Sequence, residues 1–320
     1  MRLMFSLLIL CYTLIGNTQT YQFLPDWEVG DTKEITIYQL REEVTEGEEM
    51  PERRDTMQGP KITVKSEEKE FFILIIEKDD QTLDGITMFL DGFEEKAGTQ
   101  EEIPLEVSVS KIDGSVDVHN FDALKTRMDK TLAVIDTLIL EKGQGLGGMI
   151  QQMLQPIVTA FKDPESLKAY YLEDLDFFLM PFYNPYEQGK IIEVTESAPN
   201  PMKPDMEISM TRTQKLANLD KDAGIATFHQ ETSYDMEEYV EMIKELITQM
   251  GDAFGQSDES RAEKEKQFDE FEVDVKMHTN IYFNTNTTWV EKAVTEMVME
   301  GTEPGKGKST NKVTVTYIVE

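Results

Sequence analysis

Residues 120–183 read NFDALKTRMDKTLAVIDTLILEKGQGLGGMIQQMLQPIVTAFKDPESLKAYYLEDLDFFLMPFY, the longest block of helical periodicity in the chain. Phe121, Leu124, Met128, Leu132, Ile135 and Ile139 recur at spacings of three and four, which is the apolar stripe of an amphipathic helix. Asn120 stands where an N-cap would accept from an unpaired backbone N–H. Four glycines between 143 and 148 break the pattern. Leu146, Met149, Ile150, Met153, Leu154, Ile157, Val158 and Phe161 then form a second stripe, with a kink or fresh start expected at Pro156. Asp163-Pro164-Glu165 opens a third helix, with a cap, a proline at the first helical position and an acid in the first turn. Its buried face is Leu167, Tyr170, Tyr171, Leu175, Phe178 and Leu179.

Segments on both sides of this block alternate as strands do. Phe71–Ile76 is a short apolar run bounded by charge, the mark of a central strand. Leu105, Val107 and Val109 alternate, then Asp113-Gly114, then Val116 and Val118, which predicts a hairpin. From Phe271 to Phe283 the odd positions are mostly apolar and the even ones mostly polar, so that strand has one wet face and antiparallel neighbours. Trp289–Glu300 reads as strand or helix and is assigned to strand, because strands at hairpin spacing flank it. Val313, Val315, Tyr317 and Val319 make the last strand. Loops are expected over Thr45–Gly59, Gly251–Lys266 and Gly301–Asn311. Asp235 with Glu238 suits a capping box before a further helix.

The expected fold class is therefore α+β: a curved antiparallel sheet with amphipathic helices packed on one face, arranged as two related halves. The expected domains are a leader over 1–20, an N-terminal half over 21–183 that includes the helical block, and a C-terminal half over 184–320. Arg2 followed by the apolar run Leu3–Ile15 is the pattern of a secretory signal peptide, too short for a membrane span. The one cysteine, Cys11, lies in that run, so the expected mature chain has no disulfide and no thiol chemistry. Net charge is −31, from 31 basic and 62 acidic residues, a field that repels nucleic acid.

Motifs for catalysis and cofactors fail on inspection. The histidines, His119, His229 and His278, stand apart in sequence and suit exposed strand positions. A zinc site or a catalytic triad would need them to converge in space. Asp80, Thr82, Asp84, Gly85 and Asp91 echo a calcium loop, but with the wrong third and last ligands. Gly305–Thr310 ends like a phosphate loop and lacks its first glycine. No metal and no cofactor is expected. The apolar stripes carry the remaining hypothesis. Met128, Met149, Met153, Phe161, Tyr171 and Phe178 form either plain core or an adaptable greasy pocket.

Trp27-x-x-Gly30-Asp31 before a strand, then Tyr282-Phe283-Asn284 and Trp289 leading to Thr314-Val315-Thr316-Tyr317, resemble uncharacterised exported envelope proteins of Bacteroidota-type bacteria. That resemblance covers the two ends of the chain and implies an envelope location, with no activity to carry over. Together these readings favour a non-enzymatic binding or scaffold module in the periplasm, outer envelope or medium. Its partner would be an apolar, lipid-like small molecule or an envelope protein, with no integral membrane span; oligomeric state stays open. The alternatives are a protein-interaction component of an envelope complex and a carboxylate-based hydrolase.

Overall fold

The structure, a computed structural model, describes residues 19–45, 48–77, 103–141, 158–159, 161–199, 207–234, 240, 272–303 and 307–320. Its strands are β1 (Thr20–Tyr21), β2 (Thr32–Thr45), β3 (Glu48–Glu49), β4 (Arg53–Glu67), β5 (Phe71–Glu77), β6 (Leu105–Ser110), β7 (Val116–Val118), β8 (Tyr186–Glu187), β9 (Ile192–Pro199), β10 (Glu207–Asp220), β11 (Ile225–Tyr234), β12 (Glu272–Asn284), β13 (Trp289–Glu303) and β14 (Gly307–Val319). The helices are α1 (Phe121–Glu141), α2 (Pro164–Leu172) and α3 (Asp176–Tyr183), with a 3-10 turn over Glu173–Leu175 between the last two.

One sheet carries the molecule. Its order is β7-β6-β5-β4-β2-β14-β13-β12-β11-β10-β9, every neighbour antiparallel, with β3 off the path beside β2. Two meanders, β2 to β7 and β9 to β14, are joined where β2 meets β14. Among the described residues, β7 and β9 have no second neighbour, so the sheet is open.

The sheet nonetheless curls. β5 and β13 are four strand spacings apart, about 19 Å along the sheet. Trp27 lies 5.5 Å from the Phe72 ring of β5 and 4.8 Å from the Trp289 ring of β13. One indole can touch both only if the sheet bends round it. The main core lies inside that bend: Ile35, Ile62, Leu74, Val107, Phe228, Ile281, Phe283 and Val290 from the strands, with Phe178, Leu179 and Phe182 of α3. Trp27 is held from outside the sheet. Its indole N–H donates to the Thr288 carbonyl at 2.9 Å, and the Asp26 N–H donates to the Thr288 hydroxyl at 2.9 Å. Thr288 has φ 55, a strained backbone for a β-branched residue, in the β12–β13 turn.

The expected α+β class is overturned. The protein is mostly strand, one large antiparallel sheet, and α1 is the one long helix among the described residues. Among the described residues, the one long helix does not layer across a sheet face. Leu124 at the start of α1 joins the main core, but Met128, Leu132, Ile135 and Leu138 pack with Val158, Phe161 and Leu167 in a separate small cluster. The helical stripes thus bury largely on one another, and the sheet covers its own inner face by curling. Among the described residues, the short α3 supplies most of the helical part of the main core.

Several local expectations stand in the structure. Asp163 caps α2, accepting from the Ser166 N–H at 2.8 Å with Pro164 in the first turn. The Asp113-Gly114 hairpin joins β6 and β7, with Gly114 at φ +75. Trp289–Glu300 lies within β13. Asn120 differs: its side chain accepts from Glu106 N–H at 3.0 Å and donates to the Pro104 carbonyl at 2.8 Å, so it ties α1 to β6 instead of capping it. The loops expected over Thr45–Gly59 and Gly301–Asn311 are largely strand. Backbone pairing to β2 and between β13 and β14 imposes extension on polar sequence there. Pro60 sits inside β4 where the β2 register slips between Glu34 and Thr36, a place that needs no N–H from it. The calcium echo, the second helical stripe before Val158, the Asp235 capping box and the Gly251–Lys266 loop lie outside the described residues.

Tyr186 shows how tightly the α3 end is packed. It is fully buried, and its hydroxyl donates to the Met180 carbonyl at 2.8 Å. Burial raises the hydroxyl's pKa, so it stays a donor at all ordinary pH. Tyr186→Phe is expected to cost about 1–2 kcal/mol, because a buried carbonyl loses its donor. A lowered urea midpoint at unchanged slope would show it.

Candidate functional site

Strand alternation makes the inner face legible residue by residue. Positions of one parity in register share a face, so the core residues extend into rows toward the free ends of the strands. The lowest rows are sealed and apolar: Leu216, Phe228, Ile281 and Ala293 are all fully buried. The next row is polar: Gln214 of β10, Gln230 of β11, Thr279 of β12 and Thr295 of β13, in direct register. Gln214 donates to Gln230 at 3.2 Å, and the Thr279 and Thr295 hydroxyls are 3.0 Å apart.

Beyond this belt the face divides. On β10 and β11 it stays polar, with Arg212 and Thr232 in register. On β12, β13 and β14 it becomes apolar: Met277 faces Met297, which faces Val313, and Val275 faces Met299 in the next row. These side chains are half-buried, and Met299 is exposed at 39%. A methionine-lined strip therefore lies beside a polar corner on the same face.

The short helical segments frame the polar corner. Asp176, at the start of α3, lies 3.4 Å from Arg212. Burial first, then the Asp176 carboxylate, pushes the Tyr183 hydroxyl pKa up. Phe177 stacks on Tyr317 of β14 at 4.3 Å. Burial also raises the Tyr234 hydroxyl, against the opposing pull of Arg212. Two buried oxygens in this corner, Gln214 Oε1 and Thr232 Oγ1, have no hydrogen-bond partner among the described residues. Leaving a buried polar atom unpaired costs about 1–3 kcal/mol. Gln214 and Thr232 thus leave hydrogen-bonding capacity on this face that the described residues do not fill.

Of the six residues read from sequence four are described, and three of those, Met128, Phe161 and Tyr171, meet in the small helical cluster. Phe178 lies in the main core against Trp27 and Trp289, and Tyr171 packs between the two clusters. Met149 and Met153 lie outside the described residues. Met277 of β12 stands at an alternating position in the sequence, but nothing there says which strand it faces. An open cleft of about 440 Å³ beside β7 is lined by Asp117, His119, Asn120 and Phe121 and crossed by Lys168, which pairs with Asp117 at 2.9 Å. That cleft is polar and shallow. Among the described residues, the carboxyls with a clearly displaced ionisation are Asp113, pushed down to about 2 by the Ser110 and Ser115 hydrogen bonds, and Asp163, pushed down by Ser166. A general acid needs the opposite shift.

No protein-family model and no curated protein matches the chain. A solved structure described as "Lipid-protein interactions in lipovitellin" is similar over 92% of this chain and 25% of that one, at TM-score 0.34 and 9% identity. The chain thus spans about a quarter of that structure's length. At that TM-score the likeness argues for neither a shared fold nor a shared ligand.

Proposed function

We propose that this chain is an exported binding module that holds an apolar, single-chain amphiphile on the inner face of its sheet. The observation that carries the reading is the half-buried strip of Met277, Met297, Val275 and Val313, ending in the exposed Met299, on the same face as the unpaired oxygens of Gln214 and Thr232. Methionine adapts to irregular apolar shapes, so such a strip suits a hydrocarbon tail of variable form. The unpaired oxygens suit a hydroxyl or amide donor at the head of that tail. Export is supported by the composition of residues 1–20 and by the resemblance of the chain's ends to envelope proteins. Among the described residues no helix is long and apolar enough to cross a membrane.

Titration with a fluorescent fatty acid, followed by competition with fatty alcohols, tests the reading. Saturable uptake near one per chain is expected, with a fatty alcohol competing better than an alkane of equal length. Met277→Glu places a charge in the strip and is expected to weaken uptake roughly tenfold or more, about 1.4 kcal/mol. A clean ligand-free mass from gently purified protein, together with no uptake, would remove the proposal. The edge version of a protein-interaction role finds no support at the C-terminal strand, because β14 lies in the middle of the sheet between β13 and β2.

A further inference from the structure

On the outer face of the same strands, two of the three histidines come together. His229 and Glu231 are alternate residues of β11 and so point the same way. His278 of β12 stands directly opposite Glu231, and Asn280 directly opposite His229. The two imidazole rings stack at 6.2 Å, tilted by 18°. His278 Nδ1 lies 3.1 Å from Glu231 Oε1, and His229 Nδ1 lies 3.0 Å from Asn280 Oδ1. One ligand atom from each of His229, Glu231 and His278 falls within 4.8 Å of the other two.

We infer that His229, Glu231 and His278 form a site for a divalent transition cation of the zinc type. Three protein ligands, two imidazoles and one carboxylate, are a common set for such ions, with a fourth position left to water. Around zinc the ligand atoms stand about 3.4 Å apart, as bonds near 2.1 Å in a tetrahedron require. Rotamer shifts of about an ångström in half-exposed side chains would close the present spacing. Asn280 serves the site without binding the ion. When the His229 Nδ1–H donates to the Asn280 oxygen, Nε2 keeps its lone pair for the metal.

The surrounding charge argues for imidazole chemistry over diffuse attraction. Lys215 of β10 faces His229 in register, and Glu296 of β13 faces His278 while pairing with Lys312 at 2.7 Å. Lys312 also reaches Glu42 at 4.0 Å, so cations and carboxylates are interleaved around the two imidazoles. Hard cations such as magnesium prefer oxygen ligands and should be rejected here. Next to the ligands in sequence stand Gln230, Thr232 and Thr279, which point inward. A cation clamped outside would fix the strand segments that shape the inner face.

The test is calorimetric titration of the chelator-stripped full chain with zinc, in excess magnesium. One zinc per chain is expected, with His229→Gln and His278→Gln each weakening binding roughly tenfold or more and Asn280→Ala roughly tenfold. Imidazole nitrogen NMR of the wild-type protein removes dependence on the variants: signals of two histidines should move with zinc, and that of His119 should stay. Zinc heat unchanged in the double variant, loss of binding to magnesium, or equal movement of all three histidines would each overturn the inference.

Discussion

Trp27→Ala is expected to be the most damaging single substitution in the chain, lowering stability by about 3–5 kcal/mol. The indole is 4% exposed and touches four other rings: Trp289 at 4.8 Å, Phe72 at 5.5 Å, Phe182 at 5.6 Å and Phe178 at 6.4 Å. Those rings come from β5, β13 and α3, so the cavity would open at the point where the bend of the sheet is filled. The Thr288 carbonyl would also lose its indole donor. Trp27→Phe keeps ring contact and loses the hydrogen bond, and a cost of about 1–2 kcal/mol is expected. Denaturant titration ranks the two; equal stability of Trp27→Ala and wild type would show that the sheet holds its curl unaided.

Gly114→Ala is expected to cost about 2–4 kcal/mol, combining two effects. Gly114 has φ +75, where an L side chain is strained. A Cβ there would also sit 2.2 Å from the Phe182 carbonyl oxygen, which is backbone and cannot swing aside. The β6–β7 hairpin and the end of α3 would have to separate. Gly189→Ala supplies the control. It has φ +78 with nothing within 4 Å of the added carbon, so it carries the strain alone, about 1 kcal/mol. Equal losses at the two positions would mean that the close approach to Phe182 is unimportant.

The local chemistry of this fold was open to reading from sequence, and its long-range geometry was not. Asp163-Pro164 announced a helix start because a cap acts on its own next turn. Asp113-Gly114 announced a hairpin because the turn dictates its own backbone. The alternation over β12 announced a strand with one polar face. Residues Arg53–Gln58 announced nothing: all but Met57 are charged or polar, and they extend because β2 pairs with them. The order of strands was likewise hidden. Whether Met277 meets Met297, or His278 meets Glu231, depends on register, and register is set by partners far away in the chain. The helices misled for a related reason. An apolar stripe shows that something will cover it without saying what, and α1 found Val158, Phe161 and Leu167.

The union of β2 with β14 has a kinetic consequence. Ile35 pairs with Val319, roughly three hundred residues away, in the middle of the sheet. Neighbours such as β10 and β11, β12 and β13, or β13 and β14 are joined by short turns, but the union of β2 with β14 must wait for a rare encounter of distant segments. Such high contact order predicts slow folding, with a two-part intermediate whose unjoined β2 and β14 margins are exposed and prone to aggregate.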